Sequence, residues 1–108
     1  MSAEMDALVK SASDKLEALE EALYQIDRIR GVYAAEDGTV EATADGHGAL
    51  VGLWLSEAVT QKNPKEVGEL VVQASQQAVA EAGKLRAQVL AKLNGEFTGE
   101  TPSTDGGA

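Results

Sequence analysis

Apolar residues recur in helical steps along the first thirty positions: Met5, Leu8, Ala12, Leu16, Leu19, Leu23, Ile26 and Ile29. Spacings of three and four keep them in one stripe, while Glu20, Glu21, Asp27 and Arg28 fill the other face. The pattern predicts a helix over residues 3–30. Gly31 is its expected stop, with Arg28 and Arg30 at the negative end of the helix dipole. A long helix with a narrow apolar stripe is expected to lie against a partner helix.

The period then changes. "VYAAE" (32–36) predicts a strand, and Asp37-Gly38 a hairpin turn. "TVEATA" alternates, with Val40, Ala42 and Ala44 on one face and Thr39, Glu41 and Thr43 on the other. "DGHG" (45–48) predicts the next turn. "ALVGLWL" (49–55) predicts a third strand, apolar on both faces: Leu50 and Trp54 on one, Val51, Leu53 and Leu55 on the other. Short turns imply an antiparallel meander. A strand apolar on both sides needs cover on both. The helices are expected to cover one side, and a second copy of the chain to cover the side bearing Leu50 and Trp54.

Asn63, Pro64 and Glu66 read as N-cap, first helical residue and capping-box partner of a second helix. Its apolar positions run from Val67 to Leu93, and Ala74, Ala78 and Ala82 form a small-residue strip suited to close helix approach. Gly95 is the expected stop. The polar segment 95–108 is expected to be a disordered acidic tail behind a single domain over residues 1–94. The fold class is therefore α+β, in the order α-β-β-β-α.

Charge changes this picture. The chain of 108 residues has net charge −9 and no cysteine, which excludes disulfides and thiolate chemistry. Residues 18–80 hold ten acids against four bases, and 95–108 three acids and no base. The outer parts of the helices are balanced, with Lys10, Lys15, Lys84, Arg86 and Lys92 against five acids. The start of the chain lacks the apolar core of a secretory signal. The longest apolar run, 49–55, is too short to span a bilayer, so no membrane partner is expected.

The stretch "GTVEATADGHGALVGLWL", followed by "EVGELVVQASQQAVAEAGKL", resembles the YbaB/EbfC family of nucleoid-associated proteins. Gly38, Val40, Asp45 and Gly46 match its strand-and-turn motif. Leu53 and Leu55 match the strand that follows, and Leu70, Val71, Ala74 and Ala78 match its second helix. The resemblance covers about residues 5–93. It implies a tweezer-like homodimer whose sheets meet at the centre and whose helices project as arms. It also implies a cytoplasmic, nucleoid-associated role in binding duplex DNA, with no enzymatic activity and no cofactor. A similar actinobacterial branch includes EspL-like proteins linked to type VII (ESX) secretion, which implies an alternative role as an adaptor for a helical protein partner. The chain departs from the better-known members in its acid-rich first helix and its net charge. Both departures bear on DNA affinity and not on the fold.

In an antiparallel helical arm, the start of the first helix meets the end of the second. That geometry brings Lys10 and Lys15 toward Lys84, Arg86 and Lys92 as candidate phosphate contacts, directed at backbone and not base edges. The bland reading of these five is solvated lysine and arginine in weak helix pairs. His47 has no second histidine for a metal site and no nucleophile to serve as a base, so it reads as a turn residue. Glu20/Glu21 and Glu36/Asp37 read as solvated carboxylates, not an acid-base pair. Tyr33 and Asp37 match a Y-x-x-x-[DE] secretion element, but in a strand and turn where it is poorly presented. No small-molecule substrate is evident.

Overall fold

A computed structural model describes residues 2–98. The element order is α1 (Ala3–Arg28), β1 (Arg30–Ala34), β2 (Val40–Asp45), β3 (Leu50–Leu55), a 3-10 turn (Glu57–Gln61) and α2 (Pro64–Thr98). The three strands form an antiparallel meander in the order β1-β2-β3. The molecule measures 74 × 31 × 15 Å: one sheet, one helical layer, and helices that run past the sheet.

Local chemistry starts each helix. The Ser2 hydroxyl accepts from the Met5 amide at 3.2 Å, and Glu4 and Asp6 complement the positive end of the α1 dipole. The Asn63 side chain accepts from the Lys65 amide at 2.8 Å, with Pro64 opening α2. Glu66 does not complete a capping box. Its carboxylate turns toward Lys62, 3.9 Å away.

The core is small. Val40, Ala42 and Ala44 are fully buried, and Ala74, Ala78 and Ala82 of α2 lie in one cluster with them and with Ile26 and Ile29. The alternation in β2 thus points inward as its pattern requires. The alanine strip of α2 has a different partner from the one expected. It packs on the sheet, and the closest approach is to β1.

Gly31 is the reason. A Cβ there would strike the backbone of Ala78 and Ala82. Gly31 is therefore not the stop of α1. The helix ends at Arg28, and Ile29 turns extended with its N–H on the Ile26 carbonyl. Gly95 does not stop α2 either. It is buried within a helix that continues to Thr98. The expected tail beyond that point lies outside the described residues.

The glycine turns also divide their work differently. Gly38 and Gly48 take the left-handed conformation, with φ of 73° and 84°. Gly46 does not. A Cβ on it would strike the Ile26 carbonyl, so it is small to let the β2–β3 turn sit against the end of α1.

Candidate functional site

α1 and α2 form an antiparallel arm. Ala18 and Ala22 of α1 line one narrow recess with Val89, Lys92, Leu93 and Glu96 of α2. The face of α1 turned to α2 is thus its alanine face and not its leucine stripe. Small side chains let the two axes come close. Met5, Leu8, Val9, Leu16, Leu19 and Leu23 remain exposed.

This register sets the positions of the five candidate cations. Glu96 also lines an open recess of about 490 Å³ with Lys10, Asp14 and Lys15. The described end of α2 therefore lies near the level of Asp14, and α1 runs on for roughly ten residues, or ~15 Å, past it. Lys10 and Lys15 share that recess, and Lys92 lies one turn further in, beside Glu21 and Glu96. Lys84 and Arg86 are nearer the sheet. At ~1.5 Å per residue the five span on the order of 27 Å of arm. Lys84 and Arg86 also point about 200° apart around α2. The structure brings together Lys10, Lys15 and Lys92 and keeps Lys84 and Arg86 apart from them.

Acids accompany most of these cations. Lys10 pairs with Asp14 at 3.2 Å and Lys84 with Glu81 at 3.5 Å, both on exposed surface. Lys15 has no ion-pair partner among the described residues. Any phosphate that meets Lys10 or Lys84 competes with a carboxylate already there.

A second feature is apolar. α2 covers β1 and β2 but leaves β3 bare: Leu50, Val51, Leu53, Trp54 and Leu55 are each 44–56 % exposed. The helices thus cover neither side of β3, where one side was expected to be covered. A register shift breaks the expected alternation. Glu41 pairs with Trp54 and Ala42 with Leu53, but Ala44 pairs with Leu50, leaving Val51 as an extra residue. Directly paired residues share a face. Leu50 therefore joins Leu53 and Leu55 on the inner face, while Trp54 stands on the outer face beside Gly52. Leu50 and Trp54 do not share a side.

Two polar links brace the sheet ends. His47 occupies the β2–β3 turn, with its amide on the Asp45 carboxylate, and its Nε2 lies 2.9 Å from Asp27 in the last turn of α1. The Asp45 carboxyl is held below its ordinary range chiefly by the Ala49 amide. Lys62, at the end of the 3-10 turn, reaches Asp37 at 2.8 Å. Asp37 also accepts from the Thr39 amide and hydroxyl. These bonds, Lys62 first, hold the Asp37 carboxyl well below the usual carboxylate range, and Asp37 in turn raises Lys62. The Lys62 contact is long-range, and sequence spacing offers no signal for it. Among the described residues no group of three His, Cys, Asp or Glu side chains converges on a metal site. No described helix is long and apolar enough to cross a membrane.

The profile of the YbaB/EbfC DNA-binding family matches residues 1–97. No curated protein matches the chain.

Proposed function

The chain belongs to the YbaB/EbfC DNA-binding family, and from that premise we propose that it binds duplex DNA as a homodimer, through phosphate contacts along its helical arms. The family is non-enzymatic, and its members are cytoplasmic and nucleoid-associated. The observation that carries the proposal is the recess at the arm end, where exposed Lys10 and Lys15 stand beside a length of α1 that α2 does not reach. Lys92, Lys84 and Arg86 extend the cationic positions toward the sheet. A string ~27 Å long on a rod fits the spaced phosphates of a backbone and not the edge of one base pair. The acidic middle of the chain keeps DNA off the sheet.

To the dimer we assign the bare strand β3 and the leucine stripe of α1. Leu50, Leu53 and Leu55 offer an inner apolar face, Trp54 an outer one, and the edge of β3 away from β2 offers backbone groups to a further strand. Leu19 and Leu23 continue this surface, because Asp27 and Ile26 bring the end of α1 to the β2–β3 turn.

Fluorescence anisotropy with a short duplex at ~25 mM salt tests the DNA reading. We expect micromolar affinity that falls steeply with salt, and a shallower slope when Lys10, Lys15, Lys84, Arg86 and Lys92 become Gln. No binding at tens of micromolar, or binding indifferent to the five substitutions, sinks it. One observation favours a second reading, an adaptor for a helical protein partner like the EspL-like proteins of ESX secretion: the exposed leucine stripe is the shape an amphipathic helix docks on. A pull-down from the native host that recovers DNA and no stable protein partner counts against it.

A further inference from the structure

The family binds DNA, yet this chain carries net charge −9. The position of the α2 end bears on that conflict. Glu96 lines the recess with Lys10, Asp14 and Lys15, and the described helix ends two residues later at Thr98. The chain therefore leaves α2 beside the two lysines at the arm end. The next ten residues, "GETPSTDGGA", hold Glu100 and Asp105 and no base. Next to that exit, α1 continues past the described end of α2 with one face unpartnered, and Lys15 has no ion-pair partner among the described residues.

We propose that the segment 99–108 is an intramolecular competitor for phosphate, its carboxylates engaging Lys10 and Lys15 on the outer part of α1. Reach allows it. Glu100 follows Thr98 by two residues, or ~7 Å of extended chain, and Asp105 by seven, or ~23 Å. The uncovered part of α1 is ~15 Å long. Charge complementarity supports it, since the segment is wholly acidic and the recess holds the only cations near the exit. Tethering raises the local concentration of those carboxylates into the millimolar range. Contacts of this kind are weak one by one and are screened by salt. The segment therefore tunes affinity and does not abolish it. The inference rests on the DNA-binding reading above.

The test is duplex anisotropy on the full-length chain at ~50 mM salt, comparing wild type with E100Q/D105N and with E57Q/E69Q, which removes the same charge far from the arm end. Each is measured with and without K10Q/K15Q. The expected result is about 3- to 10-fold tighter binding for E100Q/D105N. The gain should vanish at ~300 mM salt and in the K10Q/K15Q background, and E57Q/E69Q should change affinity less than ~2-fold. Unchanged affinity in E100Q/D105N overturns the proposal, and is the outcome expected if a second copy covers this part of α1. A gain matched by E57Q/E69Q, or one that survives K10Q/K15Q, also overturns it, because net charge alone then accounts for the effect. Absence of duplex binding by every variant overturns the DNA reading as well, whereas binding that ignores the segment overturns only this inference.

Discussion

Adding one methyl group at three different glycines should give three different results. At Gly31 a Cβ would lie 2.5 Å from the Ala78 carbonyl oxygen and 2.8 Å from the Ala82 Cα, where ordinary contact needs at least 3.4 Å. All the obstructing atoms are α2 backbone, so no side chain can swing aside. The helix must retreat from β1 by on the order of 1 Å, which forfeits a quarter to a half of the dispersion contacts along the seam. Overpacking costs about 1–3 kcal/mol. With the loosened packing of Ala74, Ala78 and Ala82 included, Gly31→Ala should cost about 2–4 kcal/mol. At Gly38 the added methyl meets nothing, but φ is 73°, so Gly38→Ala should cost only about 1–2 kcal/mol of left-handed strain. At Gly83 the methyl meets nothing and the backbone is helical, so Gly83→Ala should stabilise by about 0.5–1 kcal/mol. Urea unfolding followed by circular dichroism, at one fixed protomer concentration, reads all three. If Gly31→Ala proves no more costly than Gly38→Ala, the close seam between α2 and β1 is wrong, and with it the account of Gly31.

Two further outcomes follow from particular contacts. Asp37 is held below its ordinary range in the folded chain, so its contribution to stability is full above the unfolded value of about 3.9 and is lost as pH falls through the lower folded value. Asp37→Asn should therefore lower the melting temperature at pH 7, and the gap to wild type should narrow only at strongly acidic pH; an equal gap throughout the acid limb would contradict the Lys62 link. Leu53→Lys, on the exposed inner face of β3, should shift light scattering from dimer to monomer while leaving the far-UV spectrum unchanged. Leu19→Lys should weaken the dimer in the same way, and a dimer indifferent to both would remove β3 and α1 from the interface.

Both helices, the meander and the buried face of β2 were legible in the sequence because each rests on neighbours in the chain. Ser2 and Asn63 cap from three and two residues away, and Val40, Ala42 and Ala44 point one way because a strand alternates. Periodicity also found the leucine stripe of α1, but it assigned the wrong partner. It reports that a face is apolar and says nothing of which surface meets it. The candidate cations were legible as residues and not as a cluster, since their spacing depends on the register between α1 and α2. That register is set by the packing of Ala18 and Ala22 against Val89 and Leu93, far apart in sequence.

The glycines draw the same line. Gly31 and Gly95 read along the chain as helix stops, because glycine is the residue that ends helices. In the folded protein Gly31 is a contact surface and Gly95 a helical interior position, while Gly46 makes room for α1 and leaves the left-handed turn to Gly48. Local backbone preference is written in a residue and its neighbours, and so element types follow from the chain alone. Close approach between distant backbones, and the single inserted residue that sends Leu50 to the inner face of β3 and leaves Trp54 outside, are decided by how the elements pack, because only packing determines what a missing Cβ, or an extra residue, must accommodate.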